Sequence, residues 1–444
     1  MSRKQTILRG TFILTAAGIL SRIMGFFYRI FLSRTFGAEG VGLYQLIFPI
    51  YTLCFSITTA GIETAISRTV ARKTSLQQKK ESLEFLFTGI LCSLVLSVFC
   101  VFILKGNALF IARHLLGDIR CEPLLNLMAY TIPFSAIHSC ITGYYYGRKL
   151  SETPALCQLI EQTTRMAVIF FLYHFYVRKG LDFPIIIAVF GLVTGEAVSA
   201  LYCIFTLKHT CRKYKFQVAH CFSHINFKEL LALSLPLTAN RILVNLLQSI
   251  EAISIPGQLQ KFSLSSSDAL SLYGVLNGMA LPCILFPSAV TNSVSVMLMP
   301  TVAEIQACGK RSELLTIIKK VCGICFLLGL CCCFLFLLFG TWIGTVLFHS
   351  ETAGNFIITL AWICPFLYTN SALLSVINGL GKTGTTLFIN TLGLLVRIAG
   401  VFFAIPIFGI KGYLWGLLVS QLLVSVTAVG LIFQQISRFT PSVQ

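Results

Sequence analysis

The sequence predicts an all-α polytopic membrane protein, with about twelve transmembrane helices arranged as two six-helix, pseudo-symmetric lobes around a central cavity. Composition provides the first evidence, since 56% of the 444 residues are hydrophobic and only 11% are charged. A soluble protein of this size carries about 25% charged residues. The other two observations are apolar runs that recur along the whole chain and an internal repeat of short motifs.

The apolar runs are each near 20 residues long, and a helix of about that length spans roughly 30 Å of hydrocarbon. The first run contains Arg22 and has no small-residue cleavage site, so it is predicted to be a first span and not a cleavable signal peptide. The twelve predicted spans lie near 11–33, 41–66, 84–104, 123–146, 153–177, 184–206, 230–252, 271–298, 316–338, 355–378, 384–405 and 412–433.

Short motifs of the first half return in the second half in the same order. SRI (21–23), LY (43–44), TVA (69–71), GYYYGRK (143–149) and Arg165 are followed by NRI (240–242), LY (272–273), TVA (301–303), NGLGK (378–382) and Arg397. The repeat predicts an N-terminal lobe over 1–206, a basic cytoplasmic linker over 207–229 and a C-terminal lobe over 230–444. Because each lobe has an even number of spans, the copies are parallel repeats, an architecture suited to alternating access.

The net charge of +18 is concentrated on one side of the predicted topology. With the N-terminus in the cytoplasm, about 21 of the 34 Lys and Arg residues fall in cytoplasmic segments and about 8 outside, as the positive-inside rule requires. We therefore expect a protein of the cytoplasmic membrane with both termini in the cytoplasm. The basic segments are expected to meet anionic membrane lipids and not nucleic acid. Protein partners are not indicated by the sequence.

The sequence contains no motif typical of an enzyme, a metal site or a cofactor site. GLGKTGTT (379–386) resembles a phosphate-binding loop, but Val376 stands where that motif needs a glycine. Most of the 17 cysteines fall within spans, where they are expected to act as small packing residues. A solvated loop is favoured over a zinc site for the ligand-type residues of the linker, whose spacing fits no known zinc module: His209, Cys211, His220, Cys221 and His224.

Five arginines lie inside the apolar spans, namely Arg22, Arg29, Arg165, Arg241 and Arg397. A charge at bilayer depth costs about 2.5–3.5 kcal/mol on insertion scales, so such residues usually face a cavity or a partner. In the first span Gly18, Arg22, Gly25 and Arg29 share one helical face. Arg241 and Asn245 share a face of the seventh span, where Arg241 is expected to line the opposite lobe. A guanidinium suits bidentate phosphate binding, so these six residues are predicted to bind an anionic substrate.

Four acids also lie at apparent membrane depth. Glu161 precedes Arg165 by four residues, so the two can neutralise each other within one helix. Glu251 lies near the polar face of the seventh span, and Glu63 and Glu196 are the other buried acids. Each acid either forms an ion pair with an arginine or takes up a proton or cation during a transport cycle, and both alternatives stay open at this point.

Two stretches of the chain resemble a known family. SRIMGFFYRIFLSRTFGAEGVGLYQLIFPIY (21–51) followed by TTAGIETAISRTVAR (58–72) is similar to the opening of the polysaccharide-transporter branch of the multidrug/oligosaccharidyl-lipid/polysaccharide (MOP) exporter superfamily. Within that branch, the resemblance is to the groups of stage V sporulation protein B and of the lipid II flippases. NGLGK (378–382) resembles the end of the tenth helix in this family.

The resemblance implies a two-lobed flippase that moves a polyprenyl-pyrophosphate-linked glycan across the cytoplasmic membrane. In the related flippases, arginines of the first helix line a cationic cavity, and Arg22 falls at a matching position. The next arginine of that pattern is replaced by Tyr28, with Arg29 one residue later. A cation-coupled multidrug antiporter of the same superfamily is the alternative, and a membrane-bound glycan-modifying enzyme is a third possibility. The antiporter would need buried acids where the first span has arginines.

Overall fold

The computed structural model describes residues 3–214, 224–308 and 311–437, and every regular element within these ranges is a helix. Contacts group the chain into two compact units. The first comprises Met1–Tyr28 and Leu43–Ser249, and the second comprises Arg29–Gly42 and Ile250–Gln444. The predicted lobe boundaries in the linker 207–229 stay a prediction, and residues 215–223 of that linker lie outside the described ranges.

The helices up to the linker are listed here in chain order, with one π-helical segment, Ser56–Ala60, between α2 and α3 and another, Ile111–Leu116, after α5. They are α1 (Arg3–Leu46), α2 (Phe48–Phe55), α3 (Gly61–Ser75), α4 (Lys79–Gly106), α5 (Ala108–Phe110), α6 (Cys121–Met128), α7 (Thr131–Gly147), α8 (Glu152–Arg178) and α9 (Ile186–Lys213).

The helices after the linker include two further π-helical segments, Val275–Ala280 after α11 and Gly400–Ala404 after α17. They are α10 (His224–Lys261), α11 (Ser266–Gly274), α12 (Leu281–Leu285), α13 (Ser288–Ala307), α14 (Arg311–Phe348), α15 (Glu351–Ala361), α16 (Cys364–Gly379), α17 (Thr383–Ala399), α18 (Ile405–Phe408) and α19 (Ile410–Ser437).

Ten helical stretches among the described residues are long and apolar enough to cross a membrane, or eleven if the bent pair α15–α16 counts as one span. This agrees with a polytopic membrane protein, although about twelve spans were predicted. The difference arises in the first stretch, which runs over 64 residues from Phe12 to Ser75. At 1.5 Å per residue it is far longer than about 30 Å of hydrocarbon. Gly37 breaks its helical geometry with φ 67° and ψ −176°, a conformation that favours glycine.

The prolines of the apolar spans mostly begin helices. Pro49, Pro282 and Pro365 occupy the first turn of α2, α12 and α16, where a missing N–H removes no helical hydrogen bond. Pro287 stands at the start of α13. The Tyr368 hydroxyl donates to the Ile284 carbonyl oxygen at 2.7 Å just before this break, and so satisfies a backbone acceptor there.

The internal repeat is visible in equivalent contacts. A Cβ placed on Gly147 would lie 2.9 Å from Val70 Cβ, and one placed on Gly379 would lie 2.9 Å from Val302 Cβ. The two glycines belong to the repeated GYYYGRK and NGLGK motifs, and the two valines to the repeated TVA motifs. Each helix pair therefore packs at the same close approach, 232 residues apart along the chain.

The turns that follow these glycines are also equivalent. In the first unit, Lys149 N–H donates to Tyr146 and Leu150 N–H to Tyr145. In the second unit, the N–H groups of Gly381 and Lys382 donate to Asn378 and Ile377. Lys149 and Gly381, again 232 residues apart, both have positive φ. The segment that resembles a phosphate-binding loop is thus the turn between α16 and α17.

Each unit has its own apolar core at these helices. In the first unit, the core contains Ile66, Val70, Leu86 and Tyr144 from α3, α4 and α7. In the second unit, it contains Val302, Leu314, Val376 and Ala428 from α13, α14, α16 and α19. Large apolar side chains such as Phe102, Phe171 and Phe403 are exposed, as expected for helix faces in contact with lipid.

Candidate functional site

Four ionisable side chains and a tyrosine meet inside the first unit. Arg165 and Glu161 on α8 form an ion pair with 2.5 Å between Nη2 and Oε1. His138 on α7 faces Glu196 on α9, with 3.0 Å between Nδ1 and Oε2 and with side chains only 15% and 6% exposed. The Tyr51 hydroxyl on α2 donates to the other oxygen of Glu196 at 3.0 Å. This cluster, which we call the first-unit cluster, therefore joins four helices.

Three members of the cluster have metal-ligand atom types at short range. One ligand atom each of His138, Glu161 and Glu196 lies within 4.8 Å of the others. The sequence indicated no metal site, because these residues are far apart along the chain. The Arg165 guanidinium already neutralises Glu161, which makes the group less attractive to a cation than two free carboxylates.

Small residues bring the helices together at the level of the cluster. A Cβ on Gly195 of α9 would lie 2.9 Å from the Glu161 carbonyl oxygen and 3.4 Å from Arg165 Cβ. On α7, a Cβ at Gly143 would lie 2.8 Å from the Glu63 carbonyl oxygen. Glycine at these two positions lets α8 and α3 approach closely, which aligns their acids with α9 and α7.

Glu63 on α3 belongs to the same region of the first unit. Arg241 and His138 are the charges that act on its carboxylate. The close approach of α3 and α10 explains the influence of Arg241, since a Cβ on Gly61 would lie 2.7 Å from the Ser234 carbonyl oxygen. The first part of α10 therefore packs within the first unit. Arg241 was expected to line the opposite lobe, and this expectation is not met by the grouping of contacts.

Arg22 and Arg241 are both exposed, although they lie in apolar helices. Neither forms an ion pair with any residue in the described ranges. The face of α1 around Arg22 is open, because a Cβ on Gly18 or Gly25 would meet no heavy atom within 4 Å. These two guanidiniums therefore keep their hydrogen-bond donors available.

Arg397 has a partner that is far away in the sequence. Its Nη2 lies 3.0 Å from Glu251 Oε2, and the Tyr413 hydroxyl donates to Oε1 of the same carboxylate at 2.6 Å. Asn277 and Gln421 line the same cavity of about 190 Å³ together with these three residues, and the rest of its wall is aliphatic. The ion pair is thus the charged part of a cavity inside the second unit.

The remaining predicted residues have neighbours in different units. Arg29 donates from Nη1 to the Asn277 carbonyl oxygen at 3.3 Å in the second unit, so it does not act together with Arg22 in the first. Asn245 donates to the Ser56 hydroxyl in the first unit. The structure thus separates the six predicted substrate-binding residues into exposed, ion-paired and backbone-bound groups.

Sequence reasoning missed His138, Tyr51 and Tyr413. A single histidine or tyrosine in an apolar helix carries no local signal, because its acidic partner lies on another helix. The spacing of Tyr51 from Glu196 is 145 residues and that of Tyr413 from Glu251 is 162. Contacts at such separations are found only when the helices are packed.

Residues 7–306, more than half of the chain, match the sequence model of the family described as polysaccharide biosynthesis protein. The chain belongs to this family. This member of the polysaccharide biosynthesis family is 28% identical to stage V sporulation protein B of Bacillus subtilis (strain 168) over 434 residues, which cover 95% of this chain and 83% of that protein. It is 31% identical to the lipid II flippase MurJ of the same organism over 201 residues, or 43% of this chain and 36% of the flippase.

Solved structures of the MOP superfamily share the fold of this family member. An inward-facing multidrug resistance MATE family transporter matches with a TM-score of 0.70 at 14% identity, covering 96% of both chains. A MOP superfamily transporter from Pyrococcus furiosus, described by the reverse polarity of its binding pocket, matches with a TM-score of 0.68 over 98% of this chain and 96% of its own. The resemblance inferred from the motifs is confirmed, and the family and fold are those of membrane transporters, not enzymes.

Proposed function

We propose that this protein is a flippase that moves an anionic lipid-linked oligosaccharide or peptidoglycan precursor across the cytoplasmic membrane by alternating access. The observation that carries the proposal is the pair of exposed arginines, Arg22 and Arg241, in apolar helices of the first unit. An arginine is retained at such a position against the insertion cost when it meets an anion. The pyrophosphate of a polyprenyl-linked glycan offers the bidentate acceptor that guanidinium suits.

The assignment of roles follows from the partners of each arginine. Arg165 and Arg397 are neutralised by Glu161 and Glu251, so they support the units and do not bind the headgroup directly. Arg22 and Arg241 have no such partner in the part of the chain that is described, so they are the proposed headgroup ligands. Polar groups such as Asn245 on the same helix as Arg241 suit the sugar hydroxyls.

The relatives support the class of cargo. Lipid II flippase MurJ, by its name, moves a lipid-linked precursor, and the matching family is described by polysaccharide biosynthesis. We further propose that the protein lies in the cytoplasmic membrane with both termini inside, as the distribution of Lys and Arg indicates. Anionic lipids are the proposed partners of its basic cytoplasmic segments.

The test is native mass spectrometry of gently solubilised protein with an added polyprenyl-pyrophosphate glycan. Wild type is expected to retain the lipid, and Arg22→Ala and Arg241→Ala are each expected to weaken binding by about tenfold or more, equivalent to at least about 1.4 kcal/mol. Arg178→Ala, an exposed arginine at the end of α8, is the matched control and should bind as wild type does.

A cation-coupled antiporter of the same superfamily is the second candidate. The buried acids Glu161 and Glu196 favour it, since a carboxylate at depth can exchange cations. In the same experiment, retention of organic cations without any anionic lipid, unaffected by the substitutions of Arg22 and Arg241, would contradict the flippase and favour the antiporter.

A further inference from the structure

The internal repeat offers a comparison for the first-unit cluster. At the constant spacing of 232 residues, the position of His138 corresponds to Asn370 of the second unit. The position of Glu196 corresponds to Gln421, because each begins the same contact to the preceding helix: Gly195 packs on the Glu161 carbonyl, and Ser420 donates to the Gly393 carbonyl at 2.8 Å.

The second unit uses an uncharged pair at these equivalent positions. Asn370 Nδ2 donates to Gln421 Oε1 at 2.8 Å and to the Gln421 carbonyl oxygen at 3.0 Å. The Ser425 hydroxyl donates to Asn370 Oδ1 at 2.7 Å. The helix packing at this place therefore needs a polar pair that bridges two helices, but it does not need charge.

The first unit has an imidazole and a carboxylate at the same two positions. His138 Nδ1 and Glu196 Oε2 are 3.0 Å apart and almost fully buried. Their approach has the distance of an ion pair without the angles of a good hydrogen bond, and both atoms lack a hydrogen-bond partner within the described residues. Burying charge where an amide pair would serve is costly, so the charge has a role beyond packing.

Charge balance in the first unit depends on one proton. Its three buried acids, Glu63, Glu161 and Glu196, face one basic group each. Arg241 and Arg165 are permanently charged, whereas His138 is the only one of the three bases that titrates near neutral pH. With neutral His138 the carboxylate of Glu196 is uncompensated, and with protonated His138 the charges of the unit balance.

The ionisable groups that face His138 come from each of the helices packed around it. Glu196 is on α9, Glu161 and Cys157 are on α8, Glu63 is on α3, and Tyr51 reaches Glu196 from α2. Beside them on α8, Gln162 Oε1 and Arg165 Nε are buried without a hydrogen-bond partner in the described ranges. The site therefore has unused hydrogen-bonding capacity next to the titratable group.

We propose that the His138–Glu196 pair binds one exchangeable proton and that this proton is linked to the binding of the anionic cargo. The link rests on the proposed function, whereas the proton site itself does not. Protonation adds a positive charge to the unit that holds Arg22 and Arg241, so a pyrophosphate headgroup binds more tightly when the proton is bound. By thermodynamic reciprocity, cargo binding draws in a proton.

The repeat also supplies the variant that tests the site. The double substitution His138→Asn with Glu196→Gln copies the amide pair of the second unit, so it is expected to fold. His174→Asn removes an exposed histidine of α8 and is the matched control. Thermal unfolding and elution volume in detergent verify that both variants are folded, and Glu196→Gln alone provides a second variant.

The first measurement is a potentiometric titration of each purified protein without cargo, between about pH 5 and about pH 9. The His174→Asn control loses the proton of an ordinary exposed imidazole, which titrates near pH 6.5. The double variant is expected to bind one proton fewer than wild type, and a titration identical to wild type would overturn the proton site. Binding of one Na⁺ or Zn²⁺ ion, lost in the double variant and without any proton difference, would replace the proton by a metal ion.

The second measurement is the affinity for a polyprenyl-pyrophosphate glycan at about pH 5.5 and about pH 8.5. Wild type is expected to bind at least about fivefold more tightly at the lower pH, and the double variant to lose this difference while the His174→Asn control keeps it. An unchanged pH dependence in the double variant would overturn the link. If wild type binds no cargo at either pH but the titration shows the missing proton, the proposed function fails and the proton site stands.

Discussion

The two units contain their buried charges in different ways. In the second unit, Glu251 meets the permanently charged Arg397 and the Tyr413 hydroxyl, and the equivalent of the His138–Glu196 pair is the uncharged pair Asn370–Gln421. In the first unit, a titratable imidazole balances one of the buried carboxylates, and two arginines are exposed without an ion pair in the described ranges. One fold therefore carries a fixed, neutral arrangement in one copy and a variable charge in the other.

This difference teaches which features the fold requires. Both copies keep the close glycine–valine contact and the turn after it, so these serve packing. Only the first copy combines free guanidiniums with a proton-binding pair, so these are the features to which we assign cargo binding and its coupling. Fold alone does not assign function, because the same scaffold hosts different substrates.

The largest expected effect is at the ion pair of the second unit. Glu251→Gln leaves the Arg397 guanidinium buried without its counter-charge, and such a loss typically lowers the free energy of unfolding by about 3–5 kcal/mol. Equilibrium unfolding in mixed micelles measures it. The double variant Glu251→Gln/Arg397→Gln should recover much of this loss, and no recovery would argue that the pair acts through something other than charge balance.

A smaller effect is expected from the two tyrosines that donate to buried carboxylates. Tyr51→Phe and Tyr413→Phe each remove a hydrogen bond to a charged group, worth about 1.5–3 kcal/mol of unfolding free energy. The same unfolding measurement compares them. Because only Tyr51 touches the titratable pair, only Tyr51→Phe is expected to shift the proton titration, and a shift in Tyr413→Phe instead would contradict the difference between the units.

The glycine contact beneath the first-unit cluster should be more sensitive to volume than the open face of α1. Gly195→Ala brings a Cβ to 2.9 Å from the Glu161 carbonyl oxygen, and overpacking of this kind costs about 1–3 kcal/mol. Gly18→Ala is the matched control, because its Cβ meets nothing within 4 Å and alanine favours a helix over glycine by about 0.5–1 kcal/mol. Equal changes in unfolding midpoint would show that α8 and α9 are not closely packed here.

The smallest effect is expected at an ion pair outside the apolar part of the first unit. Arg72 pairs with Glu229, but the side chains are 61% and 25% exposed, and exposed pairs contribute about 0–1 kcal/mol. Arg72→Ala should therefore leave the unfolding free energy nearly unchanged and remove what salt dependence the pair has. A loss as large as that of Glu251→Gln would mean that burial does not separate these two ion pairs.

Much of the fold could be predicted because the apolar runs and the repeated motifs are local signals. Arg165 and Arg397, Val70 and Val302, and Gly147 and Gly379 all keep the same spacing in sequence and the last two pairs the same contacts in space. The division of α1 and α10 between the units was not predicted, because it depends on packing across many residues. The break at Gly37 is likewise set by backbone geometry that a glycine permits but does not announce.

The candidate site was predicted only in part. Spacing alone revealed the Glu161–Arg165 pair, since residues four apart share a helical face. The partner of Arg397 was hidden, because Glu251 lies on another helix more than a hundred residues earlier. His138 was missed for the same reason, and its importance becomes visible only when its repeat equivalent is seen to be Asn370.

The most direct test of the account is the rate at which purified protein in sealed lipid vesicles moves a polyprenyl-pyrophosphate glycan from one leaflet to the other. Wild type, Arg22→Ala, Arg241→Ala and the Arg178→Ala control are compared at equal protein content. The account predicts that the two substitutions in the apolar helices slow the movement by about tenfold or more while the control moves cargo as wild type does. Equal rates in all four proteins would contradict the assignment of cargo binding to the exposed arginines of the first unit.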